Sequence, residues 1–185
     1  MKFISKQAII QGCQTGKPAA QRALVDTEGD RLYAICIRYI GDREKAKDAL
    51  QESFIRVFKY IKNYDKSKGS FEGWLTVITV RQCLKMLDKK QLHTIELNAN
   101  KFDKADLSPS VISKMNADEI LQKVESLPEG YRQVFNLYVI EGFTHAEIAE
   151  MLHLKEASSR SKLSRAKELL RSKLTYLKLQ RDGQK

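Results

Sequence analysis

Cysteine, proline and long apolar runs are all scarce in this 185-residue chain, and each scarcity excludes something. The three cysteines, Cys13, Cys36 and Cys83, are far apart, with no paired spacing and no histidine beside them. That pattern argues against a disulfide framework or a zinc site and fits small apolar residues in a reducing compartment. No stretch approaches the roughly 18 apolar residues of a membrane span. The first residues, MKFISKQAIIQGCQ, lack the apolar core of a secretory leader, so a cytoplasmic protein without a membrane segment is expected. Strand-like alternation is missing too. The three prolines, Pro18, Pro109 and Pro128, each stand where a helix can begin, and none interrupts a periodic segment.

What is abundant is positive charge. Thirty-three Lys and Arg face 23 Asp and Glu, a formal net charge of +10. Nucleic acid is the commonest partner of so basic a protein. The charge is also segregated. Residues 116–152 hold two basic against seven acidic residues, a net −5, whereas residues 153–185 hold ten against three, a net +7.

The sign flips inside 127–170, LPEGYRQVFNLYVIEGFTHAEIAEMLHLKEASSRSKLSRAKELL, which reads as a helix-turn-helix preceded by a further helix. Thr144 to Glu147 forms a capping box, with Phe143 and Ile148 placed as its hydrophobic staple. Leu163, Ala166 and Leu170 continue a buried seam on the last helix. Its other face offers Ser158, Arg160, Ser161, Lys162, Arg165 and Lys167, hydroxyls and cations suited to phosphates and base edges. Three positions are unorthodox. His153 takes the place in the turn where Gly is usual, Lys155 stands where a capping hydroxyl is expected, and Ser159 replaces an apolar residue. His145, at the start of the capped helix, reads as a surface or phosphate-side residue.

Upstream, apolar spacing predicts helices over 18–39, 43–61 and 71–90, with Gly29 a weak point in the first. Gly41-Asp42 ends one helix and caps the next. The buried faces expected are Ala20, Ala23, Leu24, Leu32, Ile35, Ile37 and Tyr39, then Ala46, Ala49, Leu50, Phe54, Val57, Phe58 and Ile61. In the third helix Phe71, Trp74, Leu75, Ile78 and Leu84 follow, with Trp74 read as core rather than as a platform for a base. Residues 91–115 lose the period and gain Asn, Asp, Ser and Pro. The expectation is an all-α chain of two small helical domains, 1–91 and 116–185, joined by a flexible linker at 92–115, with the helix-turn-helix in the second.

Three ordered motifs resemble the extracytoplasmic-function (ECF) group of bacterial sigma factors, in the sigma-70 family. They are Asp48-Ala-Leu-Gln51-Glu52-Ser-Phe54-Ile-Arg-Val-Phe58, Gly69-Ser-Phe71-Glu-Gly-Trp74-Leu75-Thr-Val-Ile78, and Leu127-Pro128-Glu129-Gly130-Tyr131-Arg132 running into the reader. The resemblance covers roughly residues 15–175. It implies a specificity subunit that binds core RNA polymerase (its β′ and β subunits) and promoter DNA, under the control of an anti-sigma factor. It also implies no cofactor and no homo-oligomer. Asp48, Gln51 and Glu52, which share one helix face, would contact the polymerase. Tyr64, Lys66, Ser67 and Lys68 would line a pocket for flipped bases of the downstream element, and Arg81, Gln82, Lys85, Lys89 and Lys90 would follow the strand. The chain departs from the family where Arg81 and Lys85 replace a common Asn and Asp, which leaves base preference open. Ser158, Arg160, Ser161, Lys162, Arg165 and Lys167 would read the upstream element.

The competing reading is a stand-alone helix-turn-helix regulator whose first domain is a helical sensor or dimerisation module. An enzyme has little support, since His93, His145 and His153 pair with no cysteine or acid at ligand spacing and no carboxylates cluster.

Overall fold

A computed structural model describes residues 5–87 and 122–182, with side chains of the last helix described through residue 172. Among the described residues every regular element is helical. The contacts divide the chain into two compact units, Met1–Lys101 and Phe102–Lys185. The expected linker 92–115 and the candidates Lys89 and Lys90 lie outside the described residues.

The first unit holds α1 (Lys6–Gln14), α2 (Pro18–Ile40), α3 (Arg43–Tyr60) and α4 (Phe71–Leu87). Pro18 opens α2, where its fixed φ suits the first turn and its missing N–H costs nothing. Gly41 closes it in the left-handed region (φ 74°), its amide donating to the Ile37 carbonyl at 2.8 Å. Asp42 then caps α3, its carboxylate accepting from the Lys45 amide at 2.9 Å. Two adjacent residues thus stop one helix and start its neighbour.

Most expected core positions are buried, with informative exceptions. Cys36 is fully buried, whereas Ala23 and Ile37 are only half so. On α3 the inward side is Ala46, Ala49, Ser53, Phe54 and Val57, while Leu50 and Phe58 are half-exposed. Ser53 tolerates full burial because its hydroxyl donates to the Ala49 carbonyl at 2.6 Å. α4 runs through the centre of the unit, and the four consecutive residues Val77, Ile78, Thr79 and Val80 are all buried. Helix α1 was not anticipated. Ile9 and Cys13 anchor it, Gln14 donates to the Ile61 carbonyl at 3.3 Å, and Gly12 faces α2 so closely that a Cβ there would lie 2.5 Å from that of Ala20.

In the second unit residues 122–125 are helical, and Val124 and Leu127 are buried. α5 (Glu129–Phe135) widens into a π-helical turn, Asn136–Ile140, before α6 (His145–Met151) and α7 (Glu156–Asp182). Val134, Leu137, Phe143 and Ile148 are buried, as is the seam of Leu163, Ala166 and Leu170 on α7, which contacts both α5 and α6. Both residues expected as the staple, Phe143 and Ile148, are buried.

Candidate nucleic-acid and partner interfaces

Asp48, Gln51 and Glu52 are all exposed on α3. Their spacing puts them on the side away from Ala46, Ala49, Ser53 and Val57. One residue of that face escaped the sequence reading. Ile55 lies three, four and seven positions after them and is 58% exposed, an aliphatic side chain in the middle of a polar surface. Beside it the Phe54 and Phe58 rings stack with centroids 6.0 Å apart. The face is therefore amphipathic, with carboxylates and an amide around an apolar centre. An exposed Ile amid polar neighbours was the available signal, because helical spacing aligned it with Asp48 and not with Phe54.

The expected base pocket is partly self-filled. The Tyr64 hydroxyl donates to the Gly69 carbonyl at 3.2 Å. Its ring meets Phe71 edge-on at 5.0 Å and lies 5.6 Å from Trp74. Burial pushes its phenol pKa up. Trp74 is buried, as its spacing indicated. Lys66, Ser67 and Lys68 are exposed. The Ser67 hydroxyl and amide both donate to Asp65, at 2.7 and 2.9 Å, which holds that carboxyl below its ordinary pKa.

Along α4, Lys85 is exposed and Arg81 half-buried, but Gln82 is 5% exposed and does not offer its side chain to a passing strand. That expectation is corrected, and the reason is positional. Gln82 follows Ile78 by four residues and Leu75 by seven, so it falls on the buried stripe of α4 despite its polarity.

The helix-turn-helix carries its full capping box. Thr144 N–H donates to Glu147 Oε2 at 2.7 Å, and Glu147 N–H donates to Thr144 Oγ1 at 3.3 Å. His153 adopts φ 52°, the conformation for which Gly is usual, and the Leu154 amide closes the turn on the Ala149 carbonyl at 2.9 Å.

On α7, Arg160, Ser161, Arg165 and Lys167 are exposed, while Ser158 and Lys162 are half-buried. Each cation has a neighbour of its own. Arg160 pairs with Glu156, and Arg165 with Glu168 at 2.8 Å. Lys162 lies over the Tyr131 ring at 5.7 Å, in the space that Gly130 leaves open, and Lys167 lies 6.0 Å from the Tyr138 ring. This face of α7 is cationic, and two of its four cations are paired with carboxylates on the same helix.

Ser159, unorthodox in sequence, is fully buried, and its Oγ lies 2.9 Å from His145 Nδ1. The imidazole stacks on Tyr138 with centroids 4.4 Å apart and an interplanar angle of 22°. Burial, then the charges of Arg160 and Lys167, hold the His145 pKa below its ordinary value against the opposing pull of Glu156. His145 is thus half-buried and engaged, not the surface or phosphate-side residue expected.

Among the described residues no cluster of three or more His, Cys, Asp or Glu could hold a metal, and no helix is long and apolar enough to cross a membrane. All three cysteines are free and buried.

Comparison with known proteins follows the same division into two units. Residues 24–93 match the family model of Sigma-70 region 2, and residues 117–170 match that of Sigma-70, region 4. The chain is 34% identical over 169 residues to the ECF RNA polymerase sigma factor SigE of Mycolicibacterium smegmatis, covering 86% of this chain and 65% of that protein. It is 30% identical over 189 residues to the ECF RNA polymerase sigma factor SigW of Bacillus subtilis, covering 96% of this chain and 100% of that one. Its fold resembles the sigma factor RpoE, solved in complex with the anti-sigma factor NepR from Bartonella quintana. There the TM-score is 0.51 at 16% identity, covering 83% of this chain and 96% of that chain.

Proposed function

This chain belongs to the ECF group of the sigma-70 family of RNA polymerase sigma factors, and from that premise we propose how its surfaces divide the work. As a sigma factor it binds core RNA polymerase and directs promoter-specific initiation. The stand-alone regulator is not favoured, because the matched regions span both units.

The α3 face of Asp48, Gln51, Glu52 and Ile55 docks on the polymerase. The carboxylates select a basic partner surface, and Ile55 supplies the apolar contact. Downstream, Lys66 and Lys68 with Arg81 and Lys85 follow the melted strand, while the Tyr64 cluster supports the loop that receives an extruded base. Extrusion costs a few kcal/mol, which stacking and backbone contacts must offset. Upstream, α7 enters the major groove, with Arg160, Ser161 and Arg165 outermost. Domains 1–91 and 116–185 are the working modules. The chain itself forms and breaks no bonds; the polymerase does that, in the cytoplasm. An anti-sigma factor silences it by covering the docking face.

The observation that carries this reading is the position of Asp48, Gln51, Glu52 and Ile55 on one outward face of α3. Asp48→Lys with Glu52→Lys should abolish capture by core polymerase while leaving the melting temperature unchanged. Undiminished capture of the doubly reversed variant would refute it.

A further inference from the structure

The sequence weakens the helix-turn-helix in two places. His153 holds a left-handed backbone conformation, which costs a side-chain-bearing residue roughly 1–2 kcal/mol. Lys155 precedes α7 without the hydroxyl or carboxylate that would normally accept from its free amides. Both defects sit where the reading end of α7 joins the rest of the unit. The orientation of α7 must therefore be held by something other than its turn.

Apolar packing holds α7 further along, at Leu163, Ala166 and Leu170. Near its start the only buried side chain is Ser159, the fourth residue of the helix. A small hydroxyl provides little apolar adhesion there, but it can take a directed bond. Its partner is the ring of His145, the first residue of α6. That ring is backed by Tyr138 from the turn that ends α5. One line of contact, Tyr138 to His145 to Ser159, therefore crosses three successive elements of the unit.

We propose that the His145–Ser159 hydrogen bond is a positioning pair that fixes the rotation of α7 about its own axis, and with it the aim of Arg160 and Ser161 at the upstream promoter element. Successive residues on a helix are about 100° apart, so holding Ser159 inward turns Ser161 outward and sets Arg160 beside it. If that bond is lost, a rotation of about 20° moves a side chain 5–6 Å from the axis by about 2 Å. That distance separates a hydrogen bond to a base edge from none. The buried serine and the histidine thus work as one unit. Neither touches DNA in this account; both act through α7.

The inference rests on the reading of α7 as the upstream-element helix, and the test separates the two. Holoenzyme is assembled from core polymerase and the full chain. Its affinity is measured for the promoter duplex recovered by start-site mapping with the same holoenzyme, and for a random-sequence duplex. His145→Phe and Ser159→Ala should each weaken promoter binding about 3- to 10-fold, the range spanned by one buried hydrogen bond. Random-duplex binding should stay the same. Ser159→Thr, which keeps the hydroxyl, should retain affinity if it folds. The double variant His145→Phe with Ser159→Val, an apolar contact in place of the polar one, should recover to within about twofold of wild type. Melting curves confirm that every variant is folded at the assay temperature. Single variants that bind the promoter like wild type, or a double variant no better than the singles, would overturn the proposal. Arg160→Ala is the control on the reading beneath it: if that variant also keeps full promoter affinity, the assignment of α7 fails first.

Discussion

Replacing Ile55 by Ala should weaken polymerase binding without disturbing the fold, and the size of the effect follows from exposure. Full burial of an aliphatic side chain contributes about 1.5–3 kcal/mol. Ile55 is 58% exposed, so a little over half of that gain is still available to a partner. Covering it would contribute about 1–1.5 kcal/mol, most of which Ala forfeits, which corresponds to roughly a tenfold rise in Kd. Folding should respond in the opposite sense or not at all. The substitution opens no cavity, and Ala is the better helix former by a few tenths of a kcal/mol. The assay is titration of fluorescent core polymerase with each variant, beside a urea melt of the free chain. Ile55→Lys should cost more, since burying an uncompensated ammonium adds a desolvation penalty. The reasoning fails if Ile55→Ala leaves Kd within twofold, or if the loss of binding matches a loss of stability.

Two glycines provide a matched pair: Gly12→Ala should destabilise the first unit by about 1–3 kcal/mol, because its new methyl collides with Ala20. Gly29→Ala, in open space mid-helix, should stabilise it by about 0.5–1 kcal/mol, raising the melting temperature by a few degrees. The same sign for both would refute the packing described. His145 has a folded-state pKa below its ordinary 6.5, so the unfolded chain takes up the proton first. Its contribution is therefore full above pH 6.5 and is lost as pH falls from there toward the folded-state value. Urea midpoints from pH 7.5 to 5 should fall more steeply for wild type than for His145→Gln, and equal slopes would count against the assignment. Finally, Glu156→Gln should release Arg160 and tighten holoenzyme binding to promoter DNA about twofold at low salt, an effect that fades as salt rises. Weaker binding would show that Glu156 has a positive role on the DNA.

What could be read in the sequence was whatever depends on neighbours along the chain. Gly41-Asp42 and Thr144 with Glu147 specify their caps through residues at most four apart, and these caps form as expected. The long apolar stripes likewise set the inward sides of α2, α3 and α4. What was missed depends on neighbours across space. Helix α1 is only nine residues long, and its place is set by Gly12 meeting Ala20 on another helix. Gln82 is a strand contact by resemblance alone, but its register on α4 buries it. Ser159 looked like a defect because its partner, His145, stands 14 residues earlier. Ile55 was passed over because an apolar residue is first sought in the core, and only the exposure of its face shows it outside.

The central course of α4 has a consequence for how such a factor can diversify. Ten of its seventeen residues are buried, so most changes along it are filtered by folding before they are tested on DNA. The outward positions are few: Lys85 is exposed, whereas Arg81 is already half-buried. The turn Lys66–Lys68 ahead of α4 is exposed throughout and bears little of the fold, so it is freer to change. Packing limits what the helix at the centre of the unit can accept, while the turn before it tolerates change.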